Sequence, residues 1–192
     1  MRKSNKISFN IEALSSKSME IFASLGIKNE YLPFDLRGFD IFYAGNVVHG
    51  VGVVNPSGGI EYVSDDLGRP SHSIGEKCHF KIYSKGKENR TESCCVFFDF
   101  LDYIAYIIIS RIHMFGLPAA ADCFILSSIK HYHKMVIETD LYSKILLFFP
   151  KNDFGRTMAL SMKQRNPAHI INCDFYYGSS VSLFDFMKTI QA

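Results

Sequence analysis

Short apolar runs alternate with longer stretches of helical periodicity over the second half of the chain. The short runs predict four strands, at residues 94–98, 122–126, 144–149 and 169–173. Residues that favour helix starts follow three of these runs: Asp99, Ser127 or Ser128, and Asn152 or Asp153. Strands that alternate with helices predict βαβ units, and strands that are apolar throughout are typical of a parallel sheet covered on both faces. The expected fold class is therefore α/β, with a mainly parallel four-stranded sheet flanked by helices.

The first half of the chain has a different pattern, which predicts a small β-rich α+β segment. A short helix is expected at about 16–25, where apolar residues recur on one face and Gly26 follows. Two β-branched runs, 47–55 and 59–64, flank an Asn-Pro-Ser-Gly turn signal and therefore predict a hairpin. Residues 79–83 alternate in the manner of a further strand.

Polar stretches suggest where the chain divides. Residues 1–15 are polar and are expected to be loose, and the charged stretch 85–92 is the best candidate for an internal boundary. The predicted divisions are a loose N-terminus at 1–15, a small β-rich subdomain at 16–92 and an α/β domain at 93–192.

The composition places the chain among globular proteins and limits the electrostatic arguments. Of its 192 residues, 47% are hydrophobic and 21% are charged, far from the composition of disordered or fibrous chains. The formal net charge of +2 is spread evenly over the two halves. Bulk charge therefore gives no argument for nucleic-acid binding, which would require a local basic patch.

Cysteine usage and hydropathy indicate a cytoplasmic protein. The five cysteines are odd in number and lack C-x-x-C spacing, which favours reduced thiols over disulfides or a zinc site. The N-terminal residues lack the apolar core of a secretory signal. The most apolar run, 104–109, is far too short to span a bilayer. We therefore expect a cytoplasmic location and no membrane partner.

Several stretches between residues 50 and 156 match a known family. They are GVGVVN (50–55), SGGIEY (57–62), CVF (95–97), FLDY (100–103), FILSS (124–128), LFF (147–149) and Gly155-Arg156. The pattern resembles the Toprim domain of primases, topoisomerases and related nucleases. More closely, it is similar to the short primase-like proteins of bacterial plasmids and mobile elements, in which a Toprim domain follows a β-rich segment. The resemblance implies a Toprim-like fold and a role in the DNA replication of such elements.

The chain departs from this family at the residues that bind metal. A Toprim site uses a glutamate after the first strand, an Asp-x-Asp pair after the third strand and a later acidic residue. These carboxylates hold Mg²⁺, a hard cation that takes oxygen ligands. The corresponding residues here are Phe98, Pro150, Asn152 and Ser182. The resemblance therefore implies a pseudoenzyme, without a catalytic site or a cofactor.

Two neighbouring carboxylates leave an enzymatic alternative open. Asp99 and Asp153 each stand one residue beyond a lost position and would restore a Mg²⁺ site in a divergent primase or nuclease. The competing interpretation makes both residues helix N-caps, where aspartate accepts hydrogen bonds from free N–H groups. A third hypothesis is a protein-interaction module, in which exposed Phe and Tyr side chains form the contact surface.

Basic residues provide candidates for nucleic-acid binding. Lys151 and Arg156 lie at the predicted start of a helix, where the partial positive charge favours a phosphate group without metal. A second candidate patch contains Lys77, Lys81 and Lys85, near the aromatic Tyr83. The alternative is that these are ordinary solvated charges. The expected partners are DNA or RNA, or a replication protein.

Overall fold

The computed structural model describes residues 7–28, 30, 32, 36–55, 57–64, 72–75, 80–82, 84, 91–112, 116 and 121–191. The chain divides into two compact units, Met1–Glu76 and Lys77–Ala192. Among the residues in these ranges, no helix is both long enough and apolar enough to cross a bilayer.

The first unit is built on an antiparallel sheet of five strands with one helix. Its elements are β1 (Ser8–Glu12), α1 (Ser16–Ser24), β2 (Arg37–Tyr43), β3 (Asn46–Val54), β4 (Ile60–Val63) and β5 (His72–Ile74). The strands follow one another in the order β1-β2-β3-β4-β5, each antiparallel to the next. The predicted helix and hairpin are present as α1 and as β3 with β4. Phe39, Ile41, Ile60 and Tyr62 form a buried cluster on one face of this sheet.

Part of the stretch predicted to be loose is a strand. Residues 8–12 form β1, which pairs with β2 in antiparallel register, so the prediction of a loose N-terminus does not hold there. The polar residues that suggested a loop alternate with Phe9 and Ile11, and such alternation is normal in a strand with one solvated face.

Close contact between strands explains one glycine of the β-rich segment. A Cβ atom at Gly52 would overlap the carbonyl oxygen of Glu61 on the paired strand β4. Any larger residue would therefore push β3 and β4 apart.

The second unit is an α/β domain. Its strands and α-helices are β6 (Phe80–Ile82), β7 (Ser93–Phe97), α2 (Phe100–Arg111), β8 (Asp122–Ile125), α3 (Tyr132–Thr139), β9 (Lys144–Phe148), α4 (Asp153–Arg165), β10 (Ile170–Asn172) and α5 (Leu183–Gln191). The strand order is β10-β9-β7-β8-β6. The first four strands in this order are mutually parallel, and β6 pairs antiparallel with β8 at the edge.

The two units divide closer to the N-terminus than predicted, because strand β6 belongs to the second unit. The further strand predicted at 79–83 exists, but it joins the sheet of the second unit by pairing with β8. The compact units therefore separate after Glu76, and not at the predicted boundary of 92 and 93. The polar composition of residues 85–92 suggested a linker. The pairing of β6 with β8 joins distant segments and leaves no local signal in the sequence.

Helices cover both faces of the parallel sheet. On one face, buried residues of alternate strand positions, such as Val96 and Leu147, pack with Met135 of α3 and Met158 of α4. On the other face Phe97 stacks on Phe148 with ring centroids 5.2 Å apart, beside tyrosines of α2. Helix α5 packs against α2. Burying each such aromatic side chain contributes about 1.5–3 kcal/mol. The packing on both faces therefore stabilises the sheet.

The cysteines of the described ranges are packing residues. Cys94, Cys95, Cys123 and Cys173 are buried free thiols, and Cys78 lies outside the described residues. Burial raises the pKa of Cys173 to about 12. A hydrogen bond with Cys95, together with burial, raises the pKa of Cys123 well above its usual value. A raised pKa makes a thiol a poor nucleophile at neutral pH, so Cys123 and Cys173 fit a packing role.

Candidate functional site

The ends of four parallel strands form one edge of the second unit. Because β10, β9, β7 and β8 run in the same direction, the loops that follow them meet on the same side of the sheet. We call this side the carboxyl edge and define it by residues 98–99, 126–128, 149–152 and 173–182. Ligands of open parallel sheets bind at such edges, so we expect the functional site at the carboxyl edge.

An aromatic pair occupies the position that the family resemblance assigns to a glutamate. The strand alternation turns Phe98 towards the face covered by α3 and α4, where it packs against the core. Its ring lies 5.3 Å from that of Phe154, at an interplanar angle of 78°. An edge-to-face pair of this kind adds about 0.5–1.5 kcal/mol to the burial term. Aromatic rings therefore occupy the position after β7 that the resemblance assigns to a glutamate.

Asp99 is the N-cap of α2. Its carboxylate accepts a hydrogen bond of 3.0 Å from the backbone N–H of Asp102. The pKa of Asp99 is raised overall, first by burial and also by the Asp185 carboxylate. Backbone hydrogen bonds act in the opposite direction and lower it. The capping interpretation of this residue agrees with the geometry.

Asp102 is a site residue that sequence reasoning missed. It is only 2% exposed, and its carboxylate accepts a hydrogen bond of 2.9 Å from the backbone N–H of Phe184 in the first turn of α5. Burial and the neighbouring carboxylate of Asp99 raise its pKa well above the ordinary value, and Asp185 contributes less. The available signal was a lone carboxylate within the apolar sequence of α2.

A tight turn leads from the end of β9 into helix α4. Asn152, and not Asp153, caps α4 by accepting a hydrogen bond of 2.8 Å from the backbone N–H of Gly155. A Cβ atom at Gly155 would overlap the carbonyl oxygen of Pro150. Asp153 is the first residue of α4, and its side chain is exposed.

The structure places Asp99 and Asp153 at the starts of helices on opposite faces of the sheet. Asp99 begins a helix on one face of the sheet and interacts with Asp102 and Asp185, whereas Asp153 begins a helix on the other face. Within the described part of the chain, no three His, Cys, Asp or Glu side chains are placed to hold a metal ion together. Mg²⁺ requires near-octahedral oxygen ligation, usually with one or two carboxylates and bound phosphates.

Ser182 also has a structural role. Its hydroxyl oxygen accepts a hydrogen bond of 3.1 Å from the backbone N–H of Asp185 and lies 3.0 Å from Oδ2 of the same residue. Asp185 in turn forms an ion pair of 2.9 Å with Lys188. The position that the resemblance assigns to a further acidic ligand thus stabilises the start of α5.

Lys151 of the carboxyl edge lies beside Arg156 of the first turn of α4. The amine of Lys151 donates a hydrogen bond of 2.6 Å to the carbonyl of Gly178, and its backbone N–H donates one of 2.7 Å to Val181. The guanidinium of Arg156 lies 3.5 Å from the carbonyl oxygen of Lys151, as a long hydrogen bond, and is exposed. Lys151 and Arg156 therefore belong to one surface, which also includes the loop after β10.

The sequence matches no model of a known protein family and no curated protein. Its fold is similar to that of a solved primase. The match is to the crystal structure of the primase fragment of the bacteriophage T7 primase-helicase protein, with a TM-score of 0.55 and 12% sequence identity. It covers 95% of this chain and 72% of that chain. The chain therefore has a primase-like α/β fold.

One residue of the second predicted basic patch, Lys81, lies elsewhere on this primase-like fold. Lys81 is in β6, at the opposite end of the strand order from β10, and its amine lies 4.8 Å from the centroid of the Phe124 ring. Lys77 and Lys85 are outside the described residues. The structure therefore does not bring Lys81 together with Lys151 and Arg156.

A strained residue follows β8 at the carboxyl edge. Ser127 has φ of 56°, in the left-handed region, and its backbone N–H donates a hydrogen bond of 2.9 Å to the carbonyl of Phe98. The left-handed conformation costs a non-glycine residue about 1–2 kcal/mol. Nothing in the sequence indicated it, because serine does not mark such a conformation as glycine does.

Proposed function

We propose that this chain is a non-catalytic, Toprim-like protein of plasmid or mobile-element DNA replication that binds a nucleic-acid backbone without a metal ion. The observation that carries the non-catalytic part is the Phe98–Phe154 ring contact, which fills the position of a metal-binding glutamate. The replication context is supported by the fold similarity to a primase fragment. The Toprim assignment is supported by the four parallel strands and by the sequence stretches that resemble that family.

Lys151 and Arg156 are the proposed phosphate ligands. The exposed guanidinium of Arg156 has planar N–H donors that match two phosphate oxygens. The amine of Lys151 uses one of its three donors on Gly178 and keeps the others for a ligand. Both residues lie at the N-terminal end of α4, whose dipole also favours an anion.

A divergent Mg²⁺-dependent enzyme that uses Asp99 and Asp153 has less support. The Asp99 carboxylate already caps α2 by accepting the backbone N–H of Asp102. The exposed side chain of Asp153 belongs to a helix on the other face of the sheet.

A protein-interaction module is the second candidate function. Large apolar side chains are exposed on strands of the first unit, with Ile11 51%, Tyr43 49% and Val47 45% exposed. In this candidate function, such exposed apolar side chains contact another protein, here a replication protein. Absence of any nucleic-acid binding by the wild-type chain would favour this candidate.

The double substitution Lys151→Glu with Arg156→Glu tests the proposed phosphate ligands. We expect an affinity loss of at least about tenfold for a labelled oligonucleotide, measured by fluorescence anisotropy over a salt titration. The slope of log K against log salt should become shallower by about 1.4, because each lost single-strand phosphate contact contributes roughly 0.7.

A matched control separates this effect from a change in net charge. Lys144→Glu with Lys163→Glu alters the charge equally at two exposed positions of the second unit, the first residue of β9 and the last turn of α4, which lie away from the carboxyl edge. The control should bind as the wild type does. Equal affinities and slopes for both double variants would refute the assignment of Lys151 and Arg156.

A further inference from the structure

We propose that the nucleic acid bound at the carboxyl edge is a single strand and that one of its unpaired bases stacks on Phe175. This inference rests on the proposed function and specifies its ligand. It is carried by an exposed aromatic pair that follows β10 and by the contacts that join this pair to Lys151.

The aromatic pair is part of a 3₁₀ turn at Asp174–Tyr177. Phe175 is 61% exposed, and its ring lies 4.2 Å from that of Tyr176 at an angle of 35°. A large apolar ring at this exposure gains little from burial in the fold. Its face is therefore available to a flat ligand.

Burial of Tyr177 and backbone hydrogen bonds fix the turn that contains Phe175. Tyr177 is fully buried, and the backbone N–H of Cys173 donates a hydrogen bond of 2.8 Å to the carbonyl of Leu147 on β9. A further backbone bond of 3.1 Å joins Tyr176 to Cys173. The ring pair is thus pre-organised, which reduces the entropy lost when a base stacks on it.

Lys151 contacts the end of the turn that carries the aromatic pair. The amine of Lys151 bonds to Gly178, the residue directly after the 3₁₀ turn, and lies 6.0 Å from the Tyr177 ring centroid. We call Lys151, Arg156, Phe175 and Tyr176 the aromatic–basic surface. Cations that follow a backbone next to aromatic rings that stack bases are typical of single-strand binding proteins.

Nearby acidic residues make the stacking contribution necessary. Asp153 and Asp174 border the aromatic–basic surface, so the net electrostatic attraction for phosphate is modest. Stacking of one base on an aromatic side chain contributes on the order of tenfold in affinity. A duplex would lose this contribution, because its bases are already stacked on one another and their faces are covered.

The test compares three probes and two variants of the full chain. The probes are a labelled single strand, the same strand with abasic nucleotides, and the corresponding duplex, each in DNA and RNA form to distinguish the two sources. We expect the wild type to bind the ordinary single strand about tenfold more tightly than the abasic strand or the duplex. Phe175→Ala should remove this preference, and Phe175→Tyr should retain it.

The salt dependence distinguishes this inference from the proposed function. Phe175→Ala should leave the slope of affinity against salt unchanged, because the phosphate contacts remain. Equal binding of ordinary and abasic strands by the wild type would overturn the stacking inference while leaving phosphate binding in place. Failure of the wild type to bind any probe would overturn both. A Phe175→Tyr variant as weak as Phe175→Ala would also contradict stacking.

Discussion

Replacement of Gly155 with alanine is expected to lower the free energy of unfolding by about 3 kcal/mol, because the new Cβ atom overlaps the Pro150 carbonyl oxygen. Helix propensity alone predicts the opposite sign, since alanine in place of glycine stabilises a helix by about 1 kcal/mol. The backbone fixes the position of the new Cβ atom, and the Pro150 oxygen is itself a backbone atom, so rotation of a side chain cannot relieve the overlap. It would also displace Asn152, whose side chain accepts the Gly155 N–H. Chemical denaturation followed by circular dichroism measures the difference.

The control for this substitution is on the same helix. Leu160 is 58% exposed in α4, and Leu160→Ala should change the free energy of unfolding by at most about 0.5 kcal/mol. A Gly155→Ala variant as stable as the wild type would show that Pro150 and Gly155 are not in close contact. The placement of Lys151 and Arg156 around that loop would then be wrong.

Removal of the Asp102 carboxylate is expected to change how stability depends on pH. Burial and the Asp99 carboxylate raise the pKa of Asp102 well above its ordinary value of 3.8, with a smaller contribution from Asp185. The folded state therefore binds this proton more tightly than the unfolded state does. The stabilisation from this protonation is complete below pH 3.8 and is lost as the pH rises through the raised pKa.

Substitution of Asp102 with asparagine or with leucine separates the effect of its charge on stability from the effect of its hydrogen bond. Asp102→Asn keeps an oxygen to accept the Phe184 N–H, so it should match the wild type in acid and exceed it at neutral pH. Asp102→Leu leaves the buried Phe184 N–H without its acceptor. It should be less stable than Asp102→Asn by about 1–3 kcal/mol. Denaturant titrations across the acid to neutral range measure both differences.

The outcome that contradicts this account is a difference between wild type and Asp102→Asn that does not vary with pH. Such a result would mean that the carboxylate titrates normally and is not desolvated against α5. Asp99 and Asp185 also titrate near Asp102, so the comparison uses the difference between the two proteins and not either curve alone.

The parallel sheet was predictable from local pattern, and the antiparallel pairings were only partly so. Strands β7 to β10 are apolar on both faces, which gives continuous runs that are easy to recognise. The polar residues of β1 hide its strand character, because the strand is stabilised by its pairing with β2, which leaves no local signal. Strand β6 was visible as a strand, but its partner β8 is about forty residues away and nothing local indicates that pairing.

At the candidate site, capping residues were predictable and contacts between distant loops were not. Asp99 was recognised because an aspartate before an apolar helical run is a local signal. The bond between Lys151 and Gly178 joins residues 27 positions apart and depends on the order of β9 and β10 in the sheet. The exposure of Phe175 is likewise a tertiary property, since the nearby aromatic residue Tyr177 is fully buried.

The most direct test of metal-independent binding is one anisotropy titration of the wild-type chain with a labelled single strand, in excess EDTA and again in Mg²⁺. We predict saturable binding in EDTA, with equal or slightly weaker affinity in Mg²⁺ because the cation competes for the phosphates. Binding that appears only when Mg²⁺ is added, or cleavage or extension of the strand in Mg²⁺, would contradict the account. Loss of that Mg²⁺-dependent behaviour in Asp99→Asn would then identify the chain as a divergent enzyme.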